Sequence, residues 1–218
     1  MVSSYLTIAR DGEAEIEVRR SRFRCTLVRV EDEPAARAVV ERLRRRHWDA
    51  RHHCSAFVLG AGRDVERASD DGEPAGTAGA PMLEVLRGHG GEGVSDVVAV
   101  VSRWFGGTLL GAGGLVRAYG DAVRAGLEVT DTRRRHLLTE LALELGHAEA
   151  GRVESELRSR GVVVLASTYA ERVTLLLGGR GAEVSRVHTL VAELTGGGAV
   201  AGVVGERWVD APRAGPEH

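Results

Sequence analysis

At 218 residues the chain is long enough for one large domain or two small ones, each with a core of its own. Hydrophobic residues at 43% and charged residues at 28% are ordinary for a globular protein, and a net charge of -2 excludes the global basicity of a dedicated nucleic-acid binder while leaving room for a local patch. No span approaches the roughly 20 apolar residues of a membrane helix. The start, MVSSYLTIARDGEAEIEV, is too charged for a signal peptide, and Cys25 and Cys54 are too few for a disulfide framework, so a cytoplasmic protein with reduced thiols and no membrane partner is expected.

In chain order, SYLTIA, AEIEVRR and RFRCTLVRV place apolar side chains at every second position and predict three strands, with Asp11-Gly12 as a turn between the first two. A helix follows, capped by Asp32 or Glu33, with Pro34 in its first turn and Ala36, Val39, Val40 and Leu43 on one face. Arg42, Arg44, Arg45 and Arg46 at its far end suit the negative pole of the helix dipole. ARHHCSAFVLG contains a buried strand from about Cys54 to Leu59. The loop RASDDGEPAGTAGAP leads to a helix near Ala80 to Arg87, VSDVVAVVSRWF forms a long apolar strand, and a glycine-rich run enters a helix from about Gly114 to Leu127. Three strands, helix, strand, helix, strand, helix predicts helices over one face of a mixed sheet.

Around TDTRRRH, residues 130–136, the composition turns polar and basic, which places a domain boundary there. The remainder reads as strand LTELALEL, helix AEAGRVESELRSRG, strands VVVLASTY and ERVTLLLG, helix AEVSRVHTLVAEL and strand AVAGVVGERWV. That β-α-β-β-α-β order is the ferredoxin-like plan. The expected organisation is an α+β chain with a first domain over residues 1–132, a ferredoxin-like domain over 137–209 and a disordered tail over 210–218, DAPRAGPEH.

Three segments carry candidate chemistry. In SDDGEPAGTAG, Asp70, Asp71 and Glu73 cluster on a glycine-rich loop, where they either hold Mg²⁺, accept hydrogen bonds from an Arg or a base, or cap the following helix. In Arg51, His52, His53 and Cys54 the two histidines point to opposite faces of a strand, so they cannot share one ion; no metal and no cofactor is expected. In RWFGGTLLGAGGLVRAYGDAV a strand delivers Arg103, Trp104 and Phe105 to the sheet edge, and five glycines in nine residues, Gly106, Gly107, Gly111, Gly113 and Gly114, lead into a helix. Such a turn exposes N–H groups at the positive pole of the dipole, an anion seat to which Arg103 and Arg117 add charge. The segment is neither a Walker A loop nor a dinucleotide fingerprint.

SRFRC, ARHHCSAF, SDDGEPAGTAGAPML and VVSRWFGGTLLGAGGLVRAYGDAV, in this order and spacing, resemble the IMPACT/YigZ family over roughly residues 16–127, and the second half is similar to the small ferredoxin-like domain of its bacterial members. The resemblance implies a first domain like the second domain of ribosomal protein S five and a second like the last ferredoxin-like domains of elongation factor G, both of which handle RNA on the ribosome. Eukaryotic members compete for a ribosome-associated activator of an initiation-factor kinase through an extra N-terminal domain, whereas only about fifteen residues precede the shared motifs here. The family surface maps onto Arg51, His52, His53, Asp70, Asp71, Glu73, Arg103, Gly106, Gly107, Gly113, Gly114, Arg117 and Tyr119, and implies no catalytic residue.

Two functions are therefore expected. The first is a non-enzymatic RNA- or ribosome-associated factor in translation or its stress response, whose binding weakens with salt and is lost on charge reversal at Arg103 or Arg117. The alternative is a small-molecule phosphate-binding enzyme, a phosphotransferase or hydrolase using Asp70, Asp71 or Glu73.

Overall fold

The computed structural model describes residues 2–211 and divides the chain into two units, the break falling between Arg135 and His136. The first unit contains β1 (Ser4–Ile8), β2 (Gly12–Val18), β3 (Ser21–Arg29), α1 (Glu33–Arg46), β4 (His52–Leu59), β5 (Val65–Ser69), α2 (Gly79–Gly88), β6 (Val97–Trp104) and α3 (Ala112–Thr130). The second is built from β7 (Thr132–Leu145) from His136 onward, α4 (His147–Ser159), β8 (Val163–Tyr169), β9 (Val173–Gly179), α5 (Val184–Thr195) and β10 (Gly202–Asp210). The chain is α+β.

The first sheet runs β2-β3-β6-β4-β5, and its named pairs are antiparallel, not mixed as expected from the element order. The reason is topological. β3 and β4, joined through α1, are parallel to each other, but β6 inserts between them and opposes both.

Helices also cover both faces rather than one. Val97, Ala99 and Val101 of β6 pack into the core beneath α2 and α3, while Val98 and Val100 face Ala36, Val39 and Leu43 of α1. A strand buried on both sides needs apolar side chains at every position, which is why β6 reads as a continuous run.

Local signals explain most boundaries. Asp32 accepts from Ala35 N at 2.7 Å and caps α1, and Arg44, Arg45 and Arg46 occupy its last turn. β5 was expected to be loop. Its sequence VERAS has only Val65 and Ala68 as apolar residues, three apart, so an edge strand held by backbone bonding to β4 left no alternating pattern to read.

In the second unit β10, β7, β9 and β8 neighbour one another in that order, the arrangement a ferredoxin-like βαββαβ chain closes into. Leu141, Leu143 and Leu145 of β7, Leu175 and Leu177 of β9, Val153 and Leu157 of α4, and Val187 and Val191 of α5 form its core. Residues 132–136, read from sequence as a polar boundary, are the start of β7. Asp210, the first residue of the expected tail, ends β10, and residues 212–218 lie outside the described residues.

Candidate functional site

The register of β4 on β6 sets His52 beside Arg103. Alternation then sends Arg103 to the same face as Val101 and Phe23, under α3, so a guanidinium enters a core and requires a counter-charge. Glu73 supplies it: Arg103 Nη1 donates to Glu73 Oε1 at 2.5 Å, and the two residues are 6% and 8% exposed.

Tyr119 of α3, edge-on to Phe23, donates its hydroxyl to the same carboxylate oxygen at 2.8 Å. Burial pushes the Tyr119 phenol far up, so it stays a donor at every relevant pH. The Cys54 thiol lies 3.3 Å from that hydroxyl and donates to the Asp70 carbonyl at 2.9 Å. Burial raises it to about 12, which keeps it a thiol and removes it as a nucleophile.

Above this network lies a cleft of about 410 Å³ walled by Arg51, His52, Glu73, Arg103, Phe105 and the start of α3 at Gly111 and Ala112. Gly111 holds φ +72°, a conformation that favours glycine, and no side chain caps the 19-residue helix it begins. The first-turn N–H groups and the positive dipole end therefore meet the cleft without a carboxylate to satisfy them. Arg103 Nε is buried with no hydrogen-bond partner among the described residues, and no ion pair there holds Arg51. His52 Nδ1 sits 2.8 Å from the Asp71 carbonyl, which only accepts; the proton of the neutral ring is thus on Nδ1, and Nε2 turns to Glu73 at 3.9 Å.

Other candidates serve elsewhere. His53 faces away, its Nδ1 3.0 Å from Ser102 Oγ, and burial lowers its basicity. Asp71 accepts from His53 N at 2.6 Å and pairs with Arg44 at 2.8 Å. Asp70 accepts from Gly76 N, Ala78 N and Gly79 N at 2.8 to 3.0 Å, fastening the loop onto α2. The acids of this loop thus split, with two fixing backbone and Glu73 alone reaching the cleft. No group of three or more His, Cys, Asp or Glu stands close enough to hold a metal among the described residues.

Gly106 packs against the β2–β3 turn, Gly107 holds φ +86° in open space, and Gly113 and Gly114 form the first turn of α3. Arg117 does not reach the cleft; it lines neighbouring hollows. Sequence reasoning passed over Arg19, which shares one of these with Gly114 and Arg117, and its only signal is a two-residue hairpin loop made of two arginines.

Although burial opposes it, the three N–H groups hold the Asp70 carboxyl below the usual carboxylate range. Stability from a depressed carboxyl is fully present above the unfolded value of about 3.9 and is lost as pH falls through the native value. Asp70→Ala should cost about 1–2 kcal/mol at neutral pH, and the gap between wild type and variant should narrow on acidification. Urea melts of both proteins across pH check this, and a pH-independent gap would contradict it.

Comparison with known proteins places these residues in a family. Residues 19–127 match the Impact N-terminal domain, and residues 143–197 match a domain of unknown function, DUF1949. The chain is 40% identical over 197 residues to IMPACT family member YvyE of Bacillus subtilis, covering 90% of this chain and 89% of that one. It is 41% identical over 198 residues to IMPACT family member YigZ of Escherichia coli, covering 90% and 96%. A solved structure described as a crystal structure of a hypothetical protein superposes with a TM-score of 0.64 at 37% identity, covering 94% of this chain and 98% of that one. With matched domains in both halves and relatives aligned along nearly their whole length, the chain belongs to the IMPACT family.

Proposed function

We propose that the protein is a non-enzymatic RNA- or ribosome-associated factor that acts in the regulation of translation or the stress response, seating a phosphate of its partner in the cleft at the start of α3. The observation that carries this reading is Arg103 Nε, a charged donor buried without a partner beside an uncapped helix N-terminus. A buried donor left unsatisfied costs about 1–3 kcal/mol, and a phosphate oxygen satisfies it together with the free N–H groups. Membership of the IMPACT family and the ferredoxin-like second unit support the assignment to translation. The enzyme reading loses ground because the carboxylates of Asp70 and Asp71 are taken by backbone and arginine, and Cys54 remains a thiol.

Arg103→Glu would set two buried carboxylates against each other, so Arg51, exposed at the rim, is the position to reverse. Wild type should co-sediment with ribosomes or a subunit at low salt, with association falling steeply as salt rises, because phosphate contacts release counterions. Arg51→Glu should shift that dependence to lower salt. Absence of wild-type association at low salt would overturn the proposal.

A further inference from the structure

The loop entering α3 touches the β2–β3 turn as well as the cleft. Gly106 N donates to Ser21 Oγ at 3.1 Å, and a Cβ on Gly106 would stand 2.0 Å from the Arg20 carbonyl carbon, so the turn carrying Arg19 and Arg20 is fixed against that loop. Between the turn and α3 lies a second cleft of about 310 Å³, walled by Arg19, Leu110, Gly114, Arg117 and Asp121 among others. Leu110 lines both clefts. Asp121, the acid of the second, is bonded to Arg124 at 2.7 Å, whereas no acid among the described residues pairs with Arg19 or Arg117. In each cleft two arginines outnumber a single acid. Phe105, 43% exposed, stands at the rim of the first and offers a face on which a base can stack.

We infer that the Arg19–Arg117 cleft is a second phosphate subsite, and that the ligand is single-stranded RNA crossing Leu110 with one phosphate in each cleft. This rests on the reading above that the first cleft seats an RNA phosphate. A mononucleotide fills one cleft only; a strand fills both and gains a second counterion-releasing contact.

The test is fluorescence anisotropy of a labelled oligouridylate across a salt series, with uridine monophosphate as competitor. Wild type is compared with Arg19→Glu/Arg117→Glu, with the milder Arg19→Gln/Arg117→Gln, and with Arg42→Glu, an exposed position on α1 across the sheet. Thermal melting confirms that each variant is folded. The expected result is about a tenfold loss of oligouridylate affinity in the double variants, with the salt slope reduced by about one for each phosphate contact removed. Competition by the mononucleotide at the first cleft and the Arg42→Glu control should stay unchanged. Equal affinity and slope in wild type and double variants, or an equal loss in Arg42→Glu, overturns the second subsite and leaves the first standing. Failure of wild type to bind oligouridylate at low salt overturns both.

Discussion

Glu73→Ala will lower the free energy of unfolding by about 3–5 kcal/mol, the range for removing one partner of a buried ion pair. The size follows from what is left behind. Arg103, 6% exposed, keeps its charge inside the core, while the Tyr119 hydroxyl loses its acceptor. Glu73→Gln retains an acceptor oxygen for Tyr119 and should cost less, and Glu73→Ala/Arg103→Leu should recover part of the loss because the stranded charge is gone. Denaturant melts of the three variants check the order. A loss below about 1 kcal/mol for Glu73→Ala would mean that Arg103 finds another partner.

Gly106→Ala is expected to be the most damaging of the glycine substitutions along the turn. Its Cβ would meet the Arg20 carbonyl carbon at 2.0 Å, the carbonyl oxygen at 2.1 Å and Ser21 N at 2.4 Å, all main-chain atoms that cannot rotate away. Overpacking costs about 1–3 kcal/mol, and displacement of a strand-connecting backbone puts this case at the upper end. Gly113→Ala is the contrast: beyond its chain neighbours and its own helix backbone nothing lies within 4 Å of its Cβ position, and the residue is helical, so a gain of up to about 1 kcal/mol is expected from reduced freedom of the unfolded chain. A calorimetric comparison in which both substitutions lowered Tm equally would show that the contact with Arg20 is not what requires glycine at 106.

The α+β class, the ferredoxin-like second unit and nearly every helix were legible because their apolar periodicities are clean, helped at α1 by a conventional cap at Asp32. The antiparallel order of the first sheet was not. Sequence order states which strands exist, and nothing in VSDVVAVVSRWF says that it inserts between β3 and β4. The two-sided cover of the sheet was partly visible in that same uninterrupted apolar run, whose meaning depends on knowing where α1 lands.

At the site, the opposite orientation of His52 and His53 follows from strand geometry, whereas Arg103, expected at the sheet edge, is buried against Glu73, a partner 30 residues away that the strand's own sequence does not name. The separation of Glu73 from Asp70 and Asp71 had no sequence signal. Three acids within four residues look alike until the loop turns through Asp71 and Gly72, both at positive φ.

The double burial of β6 bears on how its alignment is chosen. Because VVAVV is apolar on both sides, sliding the strand by one residue would still leave oil against oil, and hydrophobicity alone discriminates weakly between the two alignments. Arg103 breaks that degeneracy. A one-residue slip would swing its guanidinium to the α1 side and leave Glu73 and Tyr119 facing a serine or a tryptophan. The ion pair beneath the cleft thus acts as a locating pin, excluding the misaligned sheet by the cost of two stranded polar groups, and the same pin sets the guanidinium where the cleft needs it.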